Sequence, residues 1–276
     1  LANPLRVGFQ GERGAYSEAA AIAHFGDSVE PVPYATFDLV FERVEKGECE
    51  FGIVPIENSL AGSIHRNYDL LLKHQLQIVG EVGLRIMHNL IAHPGVRLGE
   101  VRRVFSHPQA LAQCEGYLDR LPGVERVASY DTAGSVKLIK EQGLRDAAAI
   151  ASQRAAQVYN MDILESGIED DPENYTRFLI LARESAMSQP GPAKTSIVFA
   201  LKNAPGVLFK ALSVFALRDI DLTKIESRPL KGKPWEYFFY LDFAGSMAEA
   251  HCQRAIKHLE EIATFLRILG SYPRGT

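Results

Sequence analysis

A chain of 276 residues, 46% hydrophobic and 23% charged, carries enough apolar material for one large domain or two ordinary ones. A net charge of −4 and the lack of any basic run argue against a nucleic-acid binder, so an anionic ligand would need a local cationic pocket. No apolar run approaches the ~18 residues that span a membrane. Three widely spaced cysteines, Cys49, Cys114 and Cys252, argue against a disulfide framework or a zinc site and fit a reducing, cytoplasmic setting. The N-terminus runs straight towards a strand and lacks a signal-peptide pattern.

The first two-thirds alternate strand and helix. Residues 5–9 read as a buried strand, 11–17 as a glycine-rich turn and 18–25 as a helix. A second strand at 29–32 leads to Thr36, which suits a helix cap; Phe37, Val40, Phe41 and Val44 then fall at i, i+3, i+4 and i+7, and Gly47 ends the helix. A third strand at 51–56 runs into Glu57-Asn58-Ser59, a turn at Gly62 and a helix near 64–74. Residues 77–92 look extended with no helix between them, which reads as a crossover between two lobes. The second lobe repeats the rhythm: a strand at 101–105, a helix opened by Pro108 with Leu111, Cys114, Leu118 and Leu121 on one face, a strand at 124–128, a helix from Asp131 and Thr132, a strand at 147–151 and a helix at 152–159. The segment 163–178 would return to the first lobe, and a strand through 176–183 would close it. Such alternation implies βαβ units and a mainly parallel sheet, with a ligand cleft between the lobes.

Residues 185–193 have the composition of a linker. From 194 to 276 the pattern becomes strand (195–201), helix (206–217), strand (222–228), strand (235–243), helix (248–263), strand (265–269), a βαββαβ ferredoxin-like arrangement.

Several turns hold residues with chemistry. Gly8, Gly11 and Gly14 do not match a dinucleotide or P-loop fingerprint; they make either a plain tight turn or a nest of backbone N–H groups for a carboxylate. Glu57 stands at the C-terminal end of a strand, where α/β sheets bind ligands; partial burial would raise its pKa and suit it to proton work, while the plainer reading makes it a helix cap. In Ser106-His107-Pro108-Gln109 we expect Ser106 and Gln109 to touch ligand and His107 to cap the helix. Thr132 is a further hydroxyl at a helix start. Thr176-Arg177-Phe178 sets a hydroxyl, a fixed cation and an aromatic at the mouth of a strand, which alone reads first as a strand entrance. In the C-terminal part, the turn at 203–208 and the strand end at 225–229 are ordinary turns or an amino-acid site with Asn203 reading the zwitterion. No HxH or HExxH pair occurs, so nothing points to a metal.

Taken in order, Glu57-Asn58-Ser59, Ser106-His107-Pro108-Gln109, Asp131-Thr132-Ala133 and Thr176-Arg177-Phe178 resemble the prephenate dehydratase family. The tail resembles an ACT regulatory domain, through Gly206-Val207-Leu208 and Glu226-Ser227-Arg228-Pro229, with Val207 where many bacterial members have Ala. The stretch 62–71 and the ending Leu269-Gly270-Ser271-Tyr272-Pro273 are especially similar to the plant arogenate dehydratases. The resemblance implies a catalytic domain over 1–184, built as two α/β lobes akin to periplasmic binding proteins, and an ACT domain over 194–276. It implies decarboxylation and dehydration of prephenate or arogenate without a cofactor, under phenylalanine control, in a homodimer or homotetramer, and in a plastid if a transit peptide has been removed. Thr176 would act at the leaving hydroxyl with Glu57 as the proton source. Asn58, Ser59, Ser106, Gln109, Thr132, Arg177 (a fork for a carboxylate) and Phe178 (a wall for the ring) would bind substrate. Asn203, Ala204, Gly206, Val207, Leu208, Glu226, Ser227, Arg228 and Pro229 would form the phenylalanine site. The competing class is a non-catalytic sensor built on the same cleft.

Overall fold

The structure is a computed structural model that describes residues 4–185, 191–230, 232 and 235–275. Part of the expected linker, 186–190, lies outside the described residues. Three sheets carry the chain. The first lobe runs β1 (Leu5–Gln10), α1 (Tyr16–Phe25), β2 (Val29–Tyr34), α2 (Phe37–Glu45), β3 (Phe51–Asn58), the short β4 (Gly62–Ser63), α3 (His65–Lys73) and β5 (Gln77–Arg85). The second runs β6 (Asn89–Ala92), β7 (Arg103–Ser106), α4 (Pro108–Ala112), α5 (Glu115–Leu118), β8 (Glu125–Ala128), α6 (Thr132–Glu141), β9 (Ala147–Ala151), α7 (Gln153–Tyr159) and β10 (Asp162–Ser166). The chain then returns as β11 (Tyr175–Ala182) and continues into β12 (Ala193–Leu201), α8 (Val207–Ala216), β13 (Leu222–Pro229), β14 (Tyr237–Ala244), α9 (Ala250–Ile262) and β15 (Ala263–Pro273).

The first sheet has the order β2-β1-β3-β11-β5 and the second β10-β6-β9-β7-β8, so the chain crosses between lobes twice, after β5 and after β10. Neither sheet is purely parallel. β11 runs antiparallel to both β3 and β5, and β6 antiparallel to β9 and β10. The third sheet has the order β13-β14-β12-β15, all antiparallel, with α8 and α9 on one face.

Local chemistry explains most boundaries. Thr36 Oγ1 accepts from Leu39 N at 3.3 Å and starts α2, Ser152 Oγ accepts from Ala155 N at 3.0 Å and starts α7, and Asp131 Oδ1 accepts from Gly134 N at 2.9 Å and starts α6. The helix expected to run from Pro108 through Leu121 is two short pieces instead, α4 and α5, with Cys114 buried at the break. β15 extends well past the expected residue 269, to Pro273.

β11 is buried on both faces, and its alternation divides the core. Phe178 and Ile180 join Val7, Phe9 and Ile53 in a cluster that continues into the second lobe through Ala149 and Ala151. Leu179 and Leu181 point the other way, into a cluster with Leu71, Ile78, Val198, Tyr240 and Tyr272. The third sheet therefore covers the back of the first. The approach is close: a Cβ on Gly270 of β15 would sit 2.0 Å from the carbonyl oxygen of Ile78 in β5, so only glycine fits there.

Candidate active site

Thr176 and Asn58 are direct partners across β11 and β3, and together with Phe178 they open on a cleft of about 480 Å³ between the lobes. Tyr16, Ser17 and Phe37 of the first lobe, His88 of the crossover, and His107, Gln109, Gln113, Tyr130, Asp131 and Thr132 of the second line it as well. The N-termini of α1 and α6 lie at this cleft, and each contributes a positive dipole end that suits an anion.

One hydrogen-bond chain organises the floor. The Asn58 amide nitrogen lies 2.7 Å from Asn174 Oδ1, 3.0 Å from Thr176 Oγ1 and 3.1 Å from the Tyr175 carbonyl, so its two protons serve three acceptors. Its Oδ1 accepts from Leu60 N and Ala61 N at 3.1 and 2.9 Å, which locks the amide orientation. Asn174 Nδ2 in turn donates to Gln113 Oε1 at 3.2 Å. That oxygen also lies 2.9 Å from His88 Nε2, so a neutral His88 carries its proton on Nε2, and its Nδ1, 2.8 Å from the Tyr16 hydroxyl, shares that hydroxyl's proton with the Met87 carbonyl at 2.9 Å. Burial lowers the His88 pKa from 6.5, which favours this neutral form, and burial pushes the Tyr16 hydroxyl well up. Because Thr176 Oγ1 accepts from Asn58, its own proton is left for a group in the cleft.

Four expected site residues, Glu57, Ser59, Ser106 and Arg177, are absent from this cleft; Glu57, Ser59 and Arg177 instead line a separate hollow of about 330 Å³ that Thr176 also borders. Glu57 and Arg177 each neighbour a cleft residue in a strand, and successive strand residues face opposite sides. They point to the third sheet. Arg177 lies 2.6 Å from Glu57, 3.0 Å from Glu81 and 2.8 Å from Asp242 of β14; its Nε contact with Glu57 is off-axis for a hydrogen bond. Lys224 of β13 also bonds Glu57, and Lys194 reaches Glu81 at 2.6 Å. Three cations and three carboxylates thus balance at the seam between catalytic and C-terminal parts. Burial alone would raise the Glu57 carboxyl, but Arg177 and Lys224 together outweigh it and hold it below the usual 4.5. Its carboxylate is held at the seam by Arg177 and Lys224.

Ser106 and Ser59 are occupied elsewhere. Ser106 is fully buried and donates to the Ile150 carbonyl at 2.7 Å; Ser59 donates to the Glu173 carbonyl at 2.7 Å and accepts from Tyr175 N at 2.9 Å. Asn58, Gln109, Thr132, Thr176 and Phe178 do line the cleft. His107 caps α4, its Nδ1 accepting from Gln109 N at 3.2 Å. The glycine-rich turn serves carboxylates of the chain itself: Gly14 N donates to Glu18 at 2.6 Å, and Asp131 Oδ2 lies where a Cβ on Gly11 would come within 2.8 Å of it. Sequence reasoning missed Tyr16, His88 and Gln113, which match no motif. Asn174 stood in plain view, two residues before Thr176.

A larger cavity, about 570 Å³, lies between α3 and the β13–β14 edge and includes Asp69, Arg228 and Tyr240; it shares no residue with the cleft. Glu226 accepts from Ser63 at 2.5 Å and meets His65 at 3.1 Å, while Arg228 pairs with Asp69 at 3.1 Å. These alternate residues of β13 grip the catalytic part; Ser227 and Pro229 are exposed, and Pro229 also lines the cavity. Asn203, Ala204 and Gly206 form an exposed turn before α8, with Val207 and Leu208 half-buried and Gly206 at φ 74°. Among the described residues, ligand-type side chains converge within 4.8 Å at Glu249, His251 and Cys252, outside the cleft.

A two-lobed α/β unit with a polar cleft, backed by a ferredoxin-like unit, defines a small-molecule-handling protein with an appended second module. The prephenate dehydratase family model matches residues 7–186, and the chain belongs to that family. It is 55% identical over 284 residues to arogenate dehydratase/prephenate dehydratase 2, chloroplastic, of Arabidopsis thaliana, covering 99% of this chain and 74% of that protein. It is 54% identical to arogenate dehydratase 2 of Petunia hybrida over 98% and 72%. The structure superposes with TM-score 0.90 on a prephenate dehydratase in complex with L-Phe from Arthrobacter aurescens, 33% identical, covering 98% and 90%. It superposes equally, at 0.90 and 35% identity over 98% of each chain, on GqqA, described as a quorum-quenching acylase.

Proposed function

We propose that the cleft decarboxylates and dehydrates prephenate to phenylpyruvate, or arogenate to phenylalanine. The observation that carries this is the Thr176 hydroxyl, fixed by Asn58 so that its proton faces the cleft beside the Phe178 ring. In the reaction the ring C–CO2 bond breaks, its electron pair completes the aromatic ring, and the opposite C–O bond breaks. The electrons end on the departing hydroxyl, which leaves as water after gaining a proton. Thr176 donates a hydrogen bond to that oxygen as charge develops, and the Asn58–Asn174–Gln113–His88–Tyr16 chain holds it still. Gln109 and Thr132 offer neutral donors to substrate carboxylates, alongside the helix N-termini. No serine or cysteine lining the cleft is hydrogen-bonded to a histidine among the described residues, so an acylase nucleophile is not supported, and a bare sensor has no need of an aimed hydroxyl. Incubation with prephenate and with arogenate, followed by detection of phenylpyruvate and phenylalanine, tests the reading; no product from either rejects it.

Phenylalanine is proposed as an effector of the C-terminal unit, read as an ACT domain. The relative with bound L-Phe supports this. The contacts would come from the turn at 203–208 and from Ser227 and Pro229, with Glu226 and Arg228 relaying to the catalytic part. Exposed Phe209, Leu217 and Ile225 favour pairing of these units in a homodimer or homotetramer. Calorimetry on the full chain with no heat from phenylalanine would remove this part alone. No helix among the described residues is long and apolar enough to cross a membrane, and the chloroplastic names of the plant relatives support a plastid location.

A further inference from the structure

The cleft has a one-sided charge. Among the described residues neither Lys nor Arg lines it, and Arg177, the nearest cation in sequence to Thr176, faces the seam with the third sheet. One carboxylate does line it, that of Asp131. Asp131 is built in: Oδ1 accepts from Gly134 N at 2.9 Å, and Oδ2 faces Gly11, where the absence of a Cβ leaves it room. Burial raises its pKa above 3.8 and outweighs the backbone N–H groups of Gly134, Glu12 and Ala133 that favour the charged form.

Prephenate and arogenate share both carboxylates and the ring hydroxyl. They differ at one carbon, a ketone in the first and an ammonium in the second, so prephenate carries two negative charges and arogenate a net one. A half-buried carboxylate, with no Lys or Arg beside it in the cleft lining among the described residues, repels the first and offers the second a counter-ion. We propose that Asp131 is the specificity-determining residue of the cleft, pairing with the α-ammonium of arogenate and disfavouring the α-keto acid. Asp131 itself caps α6, so Gln109, Thr132 and the N-terminus of α1 remain for the carboxylates. This rests on the dehydratase reading above and deepens it by naming the substrate class that the site prefers.

The test is Asp131→Asn, which removes the charge while keeping the side-chain volume and an oxygen able to cap α6, since Asn caps as well as Asp. kcat/KM is measured for arogenate and prephenate with the wild type and the variant, with thermal melts alongside. Wild type is expected to prefer arogenate. In the variant the arogenate-to-prephenate ratio should fall roughly ten- to hundredfold, the range for a lost hydrogen bond to a charged group, mainly through KM for arogenate. A wild-type preference for prephenate, or a variant in which both substrates fall in proportion, would leave Asp131 as a helix cap and overturn the proposal. A wild type that turns over neither substrate would instead sink the dehydratase reading, and the proposal with it.

Discussion

Replacing Thr176 by Val separates its chemical role from its structural one. Val keeps the β-branched shape that suits a strand and removes only the hydroxyl. Thr176 is almost fully buried, and among the described residues its one side-chain hydrogen bond comes from the Asn58 amide at 3.0 Å. After substitution that amide still has Asn174 Oδ1 at 2.7 Å and the Tyr175 carbonyl at 3.1 Å, so neither of its protons is stranded. The stability loss should therefore be about 1 kcal/mol or less, the net worth of a single hydrogen bond, or a Tm fall of about 2–4 °C for a domain of this size. The rate should respond far more. A proton or hydrogen bond delivered to a leaving group contributes ~10²–10⁴-fold, or about 3–5 kcal/mol of barrier. Steady-state kcat with arogenate and prephenate, read beside differential scanning calorimetry, gives both quantities on one preparation. Thr176→Ser should recover most of the rate. A Val variant with kcat within about threefold of wild type, well short of the loss expected from a missing acid group, would refute the assignment.

Glu57→Gln should behave in the opposite way. It weakens the seam by removing one of the charges around Arg177 and Lys224, so a loss of about 1–3 kcal/mol in urea unfolding is expected, while saturating kcat stays within a few-fold. A collapse of kcat with stability intact would return Glu57 to the catalytic group. The histidines set the pH response. Burial lowers both His88 and His24 below 6.5, so the unfolded chain takes up protons that the folded one refuses. Their contribution is complete above pH 6.5 and is lost as the pH falls towards the lowered values. Urea midpoints at pH 7.5 and 5.5 should differ more for wild type than for His88→Gln; equal differences would show that the fold does not lower the His88 pKa.

Much of the fold was legible because hydrophobic rhythm is local. The i, i+3, i+4, i+7 spacing from Phe37 to Val44 became α2, and the helix-free stretch at 77–92 became the crossing between lobes. Pairing direction was not legible, since β11 inserts between strands that precede it by over ninety positions in register, as Arg177 opposite Gly83 shows. The placement of the candidate residues was legible only in part, for a related reason. A motif written as Thr-Arg-Phe or Glu-Asn-Ser is contiguous in sequence but divided in space by the strand, and the groups that claim Arg177 and Glu57, Asp242 and Lys224, arrive much later in the chain. Ser106 is turned away from the cleft because its neighbour β9 supplies a buried carbonyl, which sequence does not announce. Tyr16, His88 and Gln113 matter only through one another, so none of them carries a signal alone.

The two-sided burial of β11 has a consequence for which changes the chain can accept. Sliding this strand by one residue would bring a guanidinium into the cleft in place of a hydroxyl, and would set a threonine against the carboxylates of Glu81 and Asp242. Its register is therefore guarded from both directions at once. A deletion between Tyr175 and Ala182 would be felt in two places, and no compensating shift could restore one face without spoiling the other.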